Sequence, residues 1–594
     1  MSSVVILSGL LLGLWPFGDS SESPGEGVGS LAREKVVLDK STTVGADTNR
    51  AREHYARYLE LETNADPAMR AIALRRLGDL TLEQAEARLL DEGLTESVYG
   101  VFGEAENLYR TFLDEFPDDS AAGRVLYQMA RTVDLQGETD RSLATLDQLV
   151  DSGISDPDDE QAALLAEAQF RRGETLFSAR DWQGAEQAYS EVMHTEPPSS
   201  FVEQATYKHG WSLFKQGRHE ESLESFFVIL DQRVSVDASG TTNLDSLERP
   251  ARELVDDTLR AVCIGFAYMD GPDSLSLFLN ARSEATPYER LIYVRLGELY
   301  LEQERYQDAA ASYRAYVENR PDDDFAPEMQ ILVVEAFEAG EFPALVLESK
   351  VEYVELFGAD SGYWADHEWA SATLATSYLR TSLDELARHF HAMAQTSEDP
   401  ADFAAAARWY ESWLAAFADD PEAPEVHFLL AELRFEANQY EAAAIAYEET
   451  AYGYSDHERA AEAGYAALLA WRKKSDEAPE GPWRGLGIDS ALRFATTFPG
   501  HEHAVAVRAD ASQELFELGR LEEAVAAADV LASMDGAVDT AHRKTALLVV
   551  GHASFDLGNF PAAESAYGRT LPLLDHESEE QDLIRERLAA SIYS

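Results

Sequence analysis

The sequence predicts an all-α fold, a right-handed superhelical solenoid of antiparallel helix pairs. Three observations predict it: a pattern of small and aromatic residues that recurs eight times, prolines that fall between the copies, and a composition able to fill a helical core. The clearest copy runs Gly173, Leu176, Phe177, Trp182, Ala185, Tyr189, Val192, Pro197. Recurrence at about 35 to 45 residues signals units that cannot bury their apolar faces alone and stack to do so.

The copies align on a residue at the turn tip: Trp182, His219, Tyr306, Tyr440, Leu521 and Phe560. Nine residues earlier stand Gly173, Gly210, Gly297, Ala431, Ser512 and Gly551, all small. Three residues after the tip come Ala185, Ser222, Ala309, Ala443, Ala524 and Ala563, and seven after it Tyr189, Phe226, Tyr313, Tyr447, Ala528 and Tyr567. Weaker copies centre on Thr139, with Ala130 and Ser142, and on Phe342, with Val333 and Leu345. Glycine inside a helix costs about 1 kcal/mol relative to alanine, so its return at one register calls for a packing reason. The small residue admits a facing helix closely, and the aromatic, four residues beyond the second small residue, lies on the same face and fills the space beside it.

Second helices end at prolines, in Phe116-Pro117, Glu196-Pro197, Arg320-Pro321 and Phe498-Pro499, because proline lacks the backbone donor and pushes its predecessor out of helical geometry. The aspartates and serines that follow are expected to cap the next helix.

With 594 residues the length would suit several ordinary domains, but a repeat array escapes that arithmetic because each unit contacts only its neighbours. Hydrophobic residues at 45% exclude a wholly disordered chain. The 109 acidic residues outnumber 48 basic ones, and the net charge of -61 opposes nucleic acid and anionic lipid. Only eight of the basic residues are Lys, a surface that stays soluble in concentrated salt, although a genome rich in Arg codons would give the same bias. Cys263, the single cysteine, lies in an apolar run, so it reads as a core thiol and neither an intrachain disulfide nor a thiolate cluster can form.

Residues 1–30 read as an export segment and flexible linker. Val4 to Leu14 is apolar over the length of a secretory signal and too short to span a bilayer, yet neither a preceding basic residue nor a clean A-x-A site accompanies it. The solenoid is expected over 31–594, with polar inserts near 233–250 and 474–487, the second carrying Trp483. An unusually long first helix over 68–90 meets a partner over 103–116 across an insertion, and another long pair is expected over 366–417 with an extra helix between. The last segment, 582–593, reads as a first helix without a second and favours an incomplete C-terminus.

This pattern resembles the tetratricopeptide repeat, whose signature places small residues and aromatics at these offsets and a proline near the end of the second helix. More narrowly, EAQFRRGETLF, ATYKHGWSLFKQG and ERYQDAAASYRAYVENRP resemble large exported repeat proteins of Gram-negative bacteria associated with envelope machinery of the TolQ/TolR or ExbB/ExbD type. That resemblance implies protein partners and carries no catalytic residues with it.

Motifs for chemistry are sparse. His389 and His391 diverge by about 200° on a helix, while His501 and His503 follow Pro499-Gly500 in a loop; neither pair lies in H-E-x-x-H, and metal, cofactor and catalytic assignments are none. Acidic runs at 156–160 and 322–324 lack EF-hand spacing. The candidate partner-binding residues are Arg171, Arg172, Lys208, His209, Trp211, Lys215 and Arg218, a cationic stretch beside a tryptophan on an anionic chain, with ion pairs to Glu220 and Glu221 as its bland explanation. The expected function is a non-enzymatic, periplasmic protein-protein interaction scaffold working through a groove lined by first helices. A cytoplasmic adaptor or chaperone-like protein and an accessory enzyme of polysaccharide or peptidoglycan processing are the alternatives.

Overall fold

The structure, a computed structural model, describes residues 48–61, 66–93, 95–152, 159–237, 240–454, 456–534, 538–574 and 578–593. The export segment over 1–30 and the acidic residues 156–158 lie outside them. Among the described residues 26 α-helices follow one another and pack largely against their chain neighbours, as an α-helical solenoid of helix pairs does. Their β-structure is one isolated bridge between Val236 and Thr242.

The repeat register sets the helix boundaries. Trp182, His219, Tyr306, Tyr440, Leu521 and Phe560 each open the second helix of a pair, as does Thr139 in a weaker copy. Two residues before each opening the backbone is left-handed: at Gly137, Gly217, Gly519 and Gly558, and at Arg180, Glu304 and Asn438. The next N–H then reaches back to the first helix, as Asp181 N does to Leu176 O (2.9 Å) and Arg218 N to Leu213 O (3.1 Å), closing it with a six-to-one bond. In the copy assigned to Phe342 the left-handed residue is Glu341 and the second helix starts at Pro343, so that register lies one residue later than the sequence suggests.

Close approach explains the glycines. A Cβ added at Gly173 would stand 2.6 Å from the Tyr189 ring, at Gly210 2.7 Å from Phe226, and at Gly551 2.6 Å from Tyr567. Three tyrosine knobs also satisfy their hydroxyls beside the holes they fill. Tyr189 donates to Glu174 (2.5 Å), Tyr447 donates to Glu432, and Tyr567 pairs with His552 Nδ1 (2.9 Å), all at the residue after the small one. Burial holds these tyrosines un-ionised, raising the Tyr189, Tyr447 and Tyr567 pKa values above the ordinary phenol value.

Contacts divide the chain into two units, 1–299 and 300–594. The first begins with Thr48–Leu61 and the paired helices Pro67–Glu92 and Glu96–Glu115. Residues 96–102, expected as an insertion, form the opening of the second of these helices. The pair repeats the packing device, with a Cβ at Gly78 meeting Tyr109 at 2.7 Å and Tyr109 donating to Asp79 (3.1 Å). Most of the insert near 233–250 lies outside α-helix and holds the 3-10 turn Asn243–Ser246. Cys263 is buried, and burial pushes its thiol up to about 12.

In the second unit the long pair is Thr373–Ser397 and Pro400–Ala416. The extra helix expected between them is absent, since only Glu398 and Asp399 intervene; an irregular segment, 358–372, precedes the pair instead. The insert near 474–487 is also shorter than expected. Ala460–Glu477 continues through its first part, and Trp483 opens Trp483–Thr497, leaving only residues 478–482 outside the helices. Trp483 stacks on Trp471 with ring centroids 6.2 Å apart, and a Cβ added at Gly464 would stand 2.9 Å from the Phe494 ring.

The aspartates and the serine after the prolines act one step earlier than capping predicts. Asp119, Ser199 and Asp323 accept from the N–H two residues on, at Ala121, Phe201 and Phe325 (2.8, 3.2 and 2.9 Å). Those acceptors form local turns that deliver the chain into the helices starting at Ala122, Val202 and Ala326.

Candidate partner-binding site

The candidate residues lie in the first unit, on helices Asp159–Ser178 and Val202–Lys215 and in the turn before His219–Arg233. The Gly210 contact with Phe226 fixes the rotation of the middle helix, and with it the direction of every side chain that follows.

Trp211 is half-buried in a continuous set of rings. Its centroid lies 6.4 Å from Tyr207, 5.3 Å from Phe214 and 5.8 Å from Phe226, in edge-to-face arrangements. Phe214 continues the set to His219 (4.9 Å) and Tyr268 (5.3 Å), and Tyr268 is 69% exposed. Lys215 Nζ stands 6.0 Å from the Trp211 ring, where burial lowers its pKa.

The remaining cations divide among their neighbours instead of converging. Lys208 Nζ lies 3.3 Å from Glu174 and 5.2 Å from the Phe177 ring, tying its helix to the preceding pair. Arg218 donates to Glu186 (2.8 Å) on that pair's second helix and to Glu221 (2.7 Å) in its own first turn. Arg171 donates to the Tyr127 hydroxyl (2.7 Å), and Arg172 to Asp147 (2.7 Å). His209 pairs with Ser225 Oγ (2.9 Å), and burial lowers its pKa. The geometry therefore brings Trp211, Lys215 and the ring set together, while Lys208 and Arg218 clamp adjacent helix pairs. Tyr268 escaped the sequence reading because it follows the insert near 233–250, where the repeat register is lost.

The histidine pairs separate as their backbones dictate. His391 is buried, with Nδ1 facing the Tyr410 hydroxyl (3.1 Å) and Nε2 facing Glu436 (3.2 Å), whereas His389 is exposed. His501 and His503 have ring centroids 5.5 Å apart, and both stack against Tyr465. Among the described residues no group of three or more His, Cys, Asp or Glu is placed to hold a metal ion. No helix among them is long and apolar enough to cross a membrane.

The fold and this surface define a helix-pair repeat protein. Residues 270–324, which include the copy opening at Tyr306, match the model of the tetratricopeptide repeat. No curated protein matches. A chain of a solved structure described as Naa15/Naa10 bound to HypK-THB aligns over 92% of this chain and 79% of its own, at 13% identity and a TM-score of 0.27. An alignment that loose adds nothing to what the helix pairs establish.

Proposed function

We propose that the chain is a non-enzymatic protein-protein interaction scaffold, exported to the periplasm, that organises envelope or energy-coupling proteins through its first helices. Tetratricopeptide-type pairs are a fold suited to protein partners, and the first unit supplies the contact surface. The observation carrying the reading is the ring set Trp211, Phe214 and Tyr268 beside Lys215: amphipathic rings with one exposed end anchor interfaces at small entropic cost. Export rests on the apolar segment Val4 to Leu14, and the envelope partners on the likeness of the quoted repeat segments.

Affinity capture from intact bacterial envelopes tests the surface. Tyr268→Ala and the charge reversal Lys215→Glu should remove proteins retained by the unaltered chain. An unchanged set of partners from a folded variant overturns the contact surface. Fractionation tests the compartment separately: uncleaved full-length protein in the cytoplasm overturns export and supports the cytoplasmic adaptor.

A further inference from the structure

Within the second unit, helix Glu579–Tyr593 packs on the preceding helix pair, and among its polar contacts is one whose chemistry depends on protonation. Ile584 is fully buried in a cluster with Ala563, Tyr567 and Leu574, joined by partly buried Leu571 and Leu588. Lys544 holds the start of this helix through Glu580 (3.2 Å). Deeper in, Arg587 Nη1 approaches His552 Nδ1 at 3.3 Å, and its guanidinium lies 5.5 Å from the Phe555 ring. Tyr567 Oη stands 2.9 Å from the same Nδ1.

Arginine has donors and no acceptor, so the nitrogen facing Arg587 must carry its lone pair. We propose that docking of helix Glu579–Tyr593 is a pH-sensitive contact governed by His552 and weakened on acidification. A proton on Nδ1 takes away one acceptor for Arg587 and sets two cations against each other. Tyr567, whose hydroxyl also bonds Arg587, can turn its lone pairs toward both cations, but the repulsion between Arg587 and the imidazolium remains. Weaker docking opens the apolar face around Ala563, Tyr567 and Leu574 to water.

Every element packed on this ring bears on its titration. Its own helix, Thr540–Asp556, supplies Asp556, which favours the charged form, and Phe560–Thr570 supplies neutral Tyr567. The docked helix supplies Arg587 against the charge and Glu580 for it, and Ala504–Glu517 supplies the Phe516 ring at 6.1 Å. Burial, then Arg587, outweigh the two carboxylates and lower the His552 pKa. The sign follows: docking is fully present above the ordinary histidine value of about 6.5 and declines as pH falls below it, with each unit of displacement worth about tenfold in the docking equilibrium.

Hydrogen exchange of the full chain at pH 7.5 and 5.0, corrected for intrinsic rates, reads this directly. Amide protection over 579–593 should fall at the lower pH relative to protection over 504–517. His552→Asn keeps an acceptor without the titration and should flatten the response; Arg587→Met removes the opposing charge and should make it shallower. Equal relative protection at the two pH values, or a full response in H552N, overturns the proposal. Should H552N fail to fold, a response in R587M equal to that of the unaltered chain overturns it.

Discussion

Gly173 and Gly103 are both helical glycines, and only their surroundings tell them apart. At Gly173 an added methyl would press on a Tyr189 ring that cannot withdraw, because its hydroxyl is held by Glu174 and the ring is fully buried. Overpacking of this kind costs about 1–3 kcal/mol and outweighs the helix propensity that alanine returns. At Gly103, inside Glu96–Glu115, a Cβ meets nothing within 4 Å, so the propensity gain of about 1 kcal/mol stands alone. Gly173→Ala should therefore lower the thermal unfolding midpoint of the chain and Gly103→Ala should raise it. Equal shifts in one direction would refute the hole-and-knob account. The cations follow the same rule of context: Lys208 and Arg218 read as a surface patch, yet each bridges two helix pairs, so a charge reversal there disturbs stacking as well as contact. Lys215, beside Trp211, is the cation that belongs to the ring set.

Pair by pair, the repeat was legible wherever two helices meet through a short turn. The spacing of sixteen between hole and knob, as from Gly173 to Tyr189, presumes that turn. Longer helices on either side of the turn break the spacing and preserve the contact, which is why Gly78 with Tyr109 and Gly464 with Phe494 went unread until the helices were seen side by side. The turn itself carries a second signal. Its left-handed residue is glycine at 137, 217, 519 and 558 but Arg180, Glu304, Glu341 and Asn438 elsewhere, where the conformation costs most L-residues about 1–2 kcal/mol. Arg180 and Glu304 are exposed, so Glu304→Gly and Arg180→Gly should each stabilise their turn by about 1 kcal/mol. Gly217→Ala should destabilise by a similar amount. Denaturant midpoints of the single variants check both directions, and a loss of stability in E304G would show that its side chain contributes more than its backbone strain costs. Composition could not reveal the contact surface, because the ring set depends on Tyr268, placed beside Phe214 by a helix that follows an insert.

Across the whole chain 109 acidic residues face 48 basic ones, and electrostatics pull in two directions when salt is added. Paired cations lose strength: the Arg and Lys pairs, such as Arg70 with Glu115 and Arg520 with Asp489, sit mostly at half-exposed positions, where an ion pair is worth about 0–1 kcal/mol. Repulsion among the excess carboxylates is relieved at the same time, and it acts over every residue the pairs leave unbalanced. At 1 M the screening length is about 3 Å, which removes nearly all of that long-range repulsion while sparing contacts made at hydrogen-bond distance. The relief should win. Calorimetry in sodium chloride, chosen because it is less strongly excluded from protein surfaces than sulfate, should show the unfolding midpoint rising between 0.05 and 1 M, most steeply over the first few tenths. A midpoint that falls would mean that the ion pairs between helix pairs, led by those of Lys208 and Arg218, contribute more to stacking than the net charge of -61 takes away.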